Sequence, residues 1–320
     1  MLKVLLIKTS SLGDVVHNFP VASDIRRRFP DARIDWAVEE AYAPLVALHP
    51  GLGEIIPVAI RRWSAHPLGA ATWSEIGALR RRFGAEQYDA VIDTQGLIKS
   101  ALLARAARGR RHGFDASSAR EALAARGYHV RHPVARTLHA VTRNRLLAAS
   151  ALGYRADAPA EFGIRAAPST PGEGEQRGRY AVFLHATSRA DKLWPLERWI
   201  GLGRALEALG TRCILPWGND AERQRSEAIA QGLGSARVPT WAPIAQVARV
   251  LAGAAAVIGV DTGLTHLAAA LGIPVIGLFC GSDPALTGVY AAAHARNLGA
   301  AGVFPDVQAV LNALGELGAA

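Results

Sequence analysis

Lys3-Val4-Leu5-Leu6-Ile7 runs into Lys8-Thr9-Ser10-Ser11-Leu12-Gly13-Asp14, and Val15 to Arg28 follows. The first stretch is short, apolar and partly β-branched; the second is built from small hydroxylated residues around a glycine; the third carries apolar residues at helical spacing. That order is strand, loop, helix. The pattern then recurs. Strands are expected at Arg33 to Val38, Ile55 to Ile60 and Ala90 to Asp93, with helices around Trp73 to Phe83 and Leu97 to Ala107, and a long helix from Arg136 to Leu152. Alternation of this kind implies parallel strands joined by crossover helices.

Between Arg165 and Arg179 the chain loses its periodicity, and Pro168-Ser169-Thr170-Pro171-Gly172-Glu173-Gly174 is rich in breakers. This is the expected interdomain linker. A second alternation follows: strand Tyr180 to His185, helix Pro195 to Leu209, strand Arg212 to Pro216, helix Asp220 to Gln231, helix Ile244 to Ala252, strand Ala256 to Val260, helix Thr265 to Leu271 and strand Val275 to Phe279. The fold class is therefore α/β, with two doubly wound domains: residues 1–165, a linker at 166–179, and residues 180–320. The final helix, Pro305 to Leu317, is free to pack on either domain. Ligands of such sheets bind beyond the carboxyl ends of the strands, so functional residues are sought in the loops there.

Composition narrows the classes. At 320 residues, against about 150 per domain, two cores are expected. Half the residues are hydrophobic, and the 32 Gly and 17 Pro have no fixed spacing, which sets aside disorder and collagen. The distant Cys213 and Cys280 support neither a disulfide framework nor a zinc site and suit a reducing cytoplasm. No apolar stretch reaches the length of a membrane span, and the N-terminal run reads as a strand because no cleavage site follows it. Charge is uneven: residues 1–165 hold 24 Lys and Arg against 15 Asp and Glu, whereas residues 166–320 hold 12 against 12. An anionic partner is expected on the first half. Lysine is rare in this arginine-rich chain, occurring only at positions 3, 8, 99 and 192, so each survivor marks a place that needs a compact ammonium.

Four loops carry chemistry. The loop before Asp14 admits a polar ligand, and Asp14 reads either as a first-turn carboxylate favoured by the helix dipole or as a general base. It matches neither G-x-x-x-x-G-K-[ST] nor G-x-G-x-x-G. His185-Ala186-Thr187-Ser188-Arg189-Ala190-Asp191-Lys192-Leu193-Trp194-Pro195 offers hydroxyls, backbone N–H groups and one ammonium, a combination suited to a diphosphate. Asp261-Thr262-Gly263-Leu264-Thr265-His266 leaves a strand for a helix: Gly263 permits close approach, Thr262 and Thr265 offer hydroxyls, and Asp261 accepts from hydroxyl groups. No residue has metal-ligand spacing with His266. In Pro216-Trp217-Gly218-Asn219-Asp220-Ala221-Glu222, the Glu222 carboxylate can hold a ribose and Trp217 can flank a base.

Taken together and in this order, these loops resemble the bacterial lipopolysaccharide heptosyltransferases of glycosyltransferase family nine. The resemblance rests on Lys8 to His17, Asp93-Thr94-Gln95-Gly96-Leu97-Ile98-Lys99-Ser100, Leu184 to Ser188 with Lys192 and Trp194-Pro195, and Val260 to Leu267. Trp36 to Glu40, Ile56 to Trp63 and Gly113-Phe114-Asp115 with Arg120-Glu121 look more like the member that adds the first heptose than the one that adds the second. The resemblance implies a GT-B architecture, two Rossmann-like domains facing a cleft, and inverting, metal-independent transfer with no cofactor. The implied donor is ADP-L-glycero-β-D-manno-heptose and the implied acceptor is the first Kdo of Kdo2-lipid A. Asp14 would be the base and Lys192 would steady the departing diphosphate. Thr187, Ser188, Lys192, Trp217, Gly218, Glu222, Asp261, Thr262, Gly263 and His266 would hold the donor; Ser11, Gly13, Arg61, Arg62, Lys99, Arg120 and Arg143 would meet the acceptor. The resemblance further implies a monomer at an anionic membrane surface, peripheral on the cytoplasmic face of the inner membrane, with no nucleic-acid partner. A transferase for the second heptose, and an epimerase or sensor on the same fold, are the alternatives.

Overall fold

The computed structural model describes residues 1–168, 179–290 and 293–319. The chain divides into two compact units, Met1–Ile164 and Arg165–Ala320. Most of the expected linker, residues 169–178, lies outside the described residues.

In the first unit, β1 (Lys3–Ile7), β2 (Arg33–Glu39), β3 (Ile55–Val58), β4 (Gln87–Asp93), β5 (Arg108–Phe114) and β6 (Val130–His132) form a wholly parallel sheet in the order β3-β2-β1-β4-β5-β6. β1 is almost fully buried, as its continuous apolar run requires, because helices cover both faces of a parallel sheet. On one face Leu5, Ile7, Val91, Phe83 and Tyr88 form a buried cluster, each large side chain contributing about 1.5–3 kcal/mol by leaving water. Across the other lie the helices Phe19–Arg28 and Ala140–Leu152, joined by a buried bond from Arg145 Nε to Asp24 Oδ2 at 2.7 Å.

The expected helix from Val15 to Arg28 is two helices, Leu12–Val16 and Phe19–Arg28. Pro20 in the first turn of the second has no N–H to continue the first. β5 and β6 were absent from the sequence expectation. The strand Arg-Gly-Arg-Arg-His-Gly-Phe buries only its last three residues fully, and its arginines hide any apolar alternation. Tyr128 lies so close that a Cβ on Gly113 would sit 2.3 Å from its ring.

The second unit holds β7 (Tyr180–Leu184), β8 (Arg212–Ile214), β9 (Ala256–Val260), β10 (Val275–Leu278) and β11 (Ala295–Leu298), again parallel, in the order β11-β10-β9-β7-β8. The edge strand β11 was also missed. The final helix, Val307–Glu316, packs on the helix Leu196–Ala208 and on β10 and β11, and Val310 and Leu314 join this unit's core.

Strand order fixes where ligands go. In the first sheet the winding reverses between β1 and β4, in the second between β7 and β9, and the loops leaving those strands border the crevice that such reversals open. All but one of the loops singled out from the sequence leave one of these four strands; the exception, around Glu222, follows β8.

Candidate functional site

Two constellations result, one at each switch point. In the first unit, loops after β1 and β4 are bound together. Gln95 Oε1 accepts from Thr9 N at 3.1 Å and Ser10 N at 3.3 Å, and Lys8 Nζ donates to Thr94 O at 2.8 Å. Asp93, buried at the end of β4, orders its own loop by accepting from Gln95 N and from the Tyr128 hydroxyl. Burial pushes its carboxyl upward. Gly96, at φ 69°, takes a left-handed backbone that L side chains rarely adopt and so lets the β4 loop turn against Ala119 and Arg120. The contact brings Arg120 to the first loop.

Asp14 is the focus. Its Oδ2 accepts from Ser11 N at 3.0 Å and Ser11 Oγ at 3.2 Å, and its Oδ1 from Arg120 Nη2 at 2.5 Å. Burial acts to raise its pKa, but the charges of Lys8 and Arg120 and the Ser11 N–H outweigh that and hold the carboxyl below its ordinary value. Lys8 is itself buried, and burial lowers its ammonium to about 8 in spite of Asp14. Arg143 stacks on Phe114, 4.8 Å from the ring centre, and donates to Ser118 O. With Arg120 it lowers Lys8 further, a mark of crowded positive charge. The arrangement can take a proton at Asp14 and receive an anion beside it.

Ser11, Gly13, Asp14 and Arg120 thus come together, with Arg143 close enough to act through its charge. The other expected acceptor residues are bonded elsewhere. Arg61 donates to the Tyr42 hydroxyl at 3.0 Å. Arg62 is matched by Glu40 and Glu75, so its charge is already answered. Lys99 donates to Ser64 Oγ at 2.9 Å on another helix.

In the second unit Asp261, at the end of β9, gathers the site. Lys192 Nζ lies 2.7 Å from its Oδ2, Ser282 Oγ donates to the same oxygen at 2.6 Å, and His266 Nε2 lies 3.6 Å from Oδ1. Burial pushes the Asp261 carboxyl up, yet His266, Lys192 and Ser282 together hold it far below the ordinary range. Thr187 Oγ1 donates to Asp261 O at 3.1 Å. Ser188 is exposed next to it. Thr262 sits at the N-cap of the helix Gly263–Ala270 without capping it by its side chain, and the first-turn N–H groups point a positive dipole end at any anion there. His185 is structural: it is fully buried against Ser226, 2.7 Å from its hydroxyl, and burial lowers it to about 4.

Trp217, Gly218 and Glu222 form a neighbouring group after β8. Trp217 Nε1 donates to Pro239 O, while Glu222 accepts from Gly218 N at 2.7 Å and Asn219 Nδ2 at 2.9 Å. Glu222 therefore ties this loop to the start of the helix that Asn219 caps, each of its oxygens still holding a free lone pair.

Sequence reasoning gave no site role to three residues that organise these constellations: Lys8, marked only as a surviving lysine, Gln95, quoted only within its motif, and Ser282. Ser282 was signalled by the same rule that found the others, since Gly281-Ser282 follows the strand Val275–Leu278. A Cβ on Gly281 would meet Asp191 O at 2.7 Å, so a glycine is what lets this loop reach Lys192 and Asp261. Among the described residues no group of three His, Cys, Asp or Glu is disposed to hold a metal, and no helix is long and apolar enough to cross a membrane.

Comparison with known proteins finds relatives over most of the chain. Residues 76–310 match the model of glycosyltransferase family 9 (heptosyltransferase). The lipopolysaccharide heptosyltransferase 1 of Escherichia coli K12 is 44% identical over 296 residues, covering 90% of this chain and 91% of that protein. The structure of E. coli heptosyltransferase WaaC with ADP superposes with a TM-score of 0.91 at 40% identity, covering 99% of this chain and all of that one. The same enzyme with ADP-2-deoxy-2-fluoro heptose gives 0.87 at 40% identity, covering 98% and 99%.

Proposed function

Since the chain belongs to glycosyltransferase family 9, the heptosyltransferases, we propose that it moves L-glycero-D-manno-heptose from ADP-heptose to the first Kdo of Kdo2-lipid A. The second unit holds the donor. Lys192, the hydroxyls of Thr187 and Ser188, and the N–H groups at Thr262 and Gly263 receive the diphosphate, Asp261 and His266 face the heptose, and Glu222 and Trp217 take the nucleoside. The first unit holds the acceptor, whose carboxylate suits the cations Arg120 and Arg143.

In the reaction the Kdo hydroxyl oxygen bonds to the anomeric carbon as the bond from that carbon to the diphosphate breaks. The hydroxyl proton passes to Asp14 and the electron pair leaves with ADP, inverting the centre. An ionised carboxylate held below its usual pKa is a weak base, so the proton moves late. Charge growing on ADP is met by Lys192 and the helix dipole. No metal or cofactor enters this scheme, and EDTA is expected to leave the rate unchanged. Acting on a lipid-linked sugar, the protein works as a monomer at the cytoplasmic face of the inner membrane.

The observation that carries the reading is Asp14, kept ionised by Lys8 and Arg120 at the mouth of the first switch point. The test is incubation with ADP-heptose and de-acylated Kdo2-lipid A, with mass spectrometry of the product. One added heptose is expected. Turnover of donor without acceptor would point to an epimerase or hydrolase, unchanged donor to a sensor, and activity only on an already heptosylated acceptor to the transferase for the second heptose.

A further inference from the structure

The helices Ile60–Ala65, Ala70–Ala85 and Ile98–Ala106 border a groove of about 870 Å³ in the first unit. That lies within the range of roughly 300–1,000 Å³ in which proteins hold small molecules. Its floor is apolar: Ile60, Trp63, Leu79 and Leu103 rest on the buried cluster of the sheet. So is its mouth, where Trp73 is 62% and Leu102 60% exposed. Large apolar side chains left open together mark a surface that something covers.

Charge says what. The lining holds three cations, Arg80, Lys99 and Arg105, and no carboxylate. Among the described residues Lys99 bonds only an uncharged hydroxyl, that of Ser64. Among the described residues neither Arg80 nor Arg105 enters an ion pair, although nearby Arg62 and Arg82 are matched to Glu40, Glu75 and Glu54. An apolar trough edged by unmatched cations is complementary to an amphiphile with an apolar chain and an anionic head. Long basic side chains at such an edge extend toward phosphate while their stems lie on the apolar surface.

We propose that this groove seats an acyl chain of an anionic membrane phospholipid, with Arg80 and Arg105 on the headgroup phosphate, and so docks the protein on a bilayer. The proposal deepens the reading that the acceptor is membrane-borne and rests on it for its purpose, but the groove acts on bulk lipid and not on the acceptor. Lys99, expected at the acceptor, belongs to this lipid edge.

The test is co-sedimentation of the full chain with vesicles of phosphatidylcholine alone or mixed with phosphatidylglycerol, alongside quenching of its tryptophans by lipids brominated on the acyl chain. Binding at least tenfold tighter to the anionic vesicles is expected, with quenching. Leu102→Gln is expected to abolish the quenching, and Arg80→Gln with Arg105→Gln to weaken binding about tenfold or more. Each variant should still glycosylate the soluble de-acylated acceptor at the parent rate, which certifies its fold. Equal binding to neutral vesicles, wild-type binding by the variants, or no binding at all overturns the proposal; a protein partner is the alternative in the last case. Vesicle binding without any transfer would leave the groove standing and remove the proposed reaction instead.

Discussion

Asp14 and Lys8 are a coupled pair on one loop, and their opposite displacements set a pH dependence. The carboxyl lies below its ordinary value, so the acid limb of the acceptor kcat/KM profile is expected below the usual carboxylate range. Lys8 discharges as pH rises through about 8, and the field that holds Asp14 ionised weakens there. Between that value and the 10.5 of an unfolded lysine the unfolded chain binds more protons, so folding stability rises with pH across this window while the site loses its charge. Lys8→Met, which removes a charge that holds Asp14 ionised, is expected to move the acid limb upward, read from initial rates over pH. Asp14→Asn is expected to lower kcat by about 10²–10⁴-fold with donor binding intact by calorimetry; ordinary turnover would remove the base. A lysine at position 192 suits the proposed donor role: its point charge fits beside Asp261 and would be free to turn toward a diphosphate, which a planar fork does less readily. Lys192→Met is expected to raise the donor KM at least tenfold, and an unchanged KM would end that role.

Elements hold these residues through a few close approaches. Gly259 in β9 lies where a Cβ would be 2.1 Å from Thr265 Oγ1, the hydroxyl that ties the site helix back to Val260 O at 2.7 Å. Gly259→Ala must displace that helix, and a loss of about 1–3 kcal/mol by chemical denaturation is expected, together with weaker donor binding. The helix Ala140–Leu152 is fixed differently, by the buried Arg145–Asp24 pair. Asp24→Ala leaves a buried guanidinium without its carboxylate and is expected to cost about 3–5 kcal/mol. Central elements were legible because a buried parallel strand must be a continuous apolar run, as Ala256–Val260 is. The edge strands β6 and β11, and β5 next to the edge, are buried over only part of their length, and nothing obliges their sequence to advertise them.

For the molecule, the excess of positive charge sits wholly in the half with Asp14, and the ion pairs there, each using one charge of either sign, leave that excess undiminished. Long-range attraction of an anionic acceptor is screened by salt, with a Debye length of roughly 10 Å at 0.1 M. Raising ionic strength is therefore expected to increase the KM for the acceptor much more than that for ADP-heptose, whose diphosphate is met at short range; parallel increases would contradict the division of labour.

The order of the central strands and of the loops that leave them was legible in sequence alone, because burial on both faces writes itself as apolar runs and breakers write themselves as loops. It also put the reactive residue types in those loops. Which side chains meet was decided only by the tertiary structure. Arg120 lies 106 residues from Asp14, and Lys192 lies 69 from Asp261. These pairs become neighbours because the sheets reverse their winding between β1 and β4 and between β7 and β9. The same folding spends Arg62 on carboxylates and leaves Arg80 and Arg105 facing a groove, a distinction without trace in a run of arginines, since an ion pair is a property of distance and composition records none.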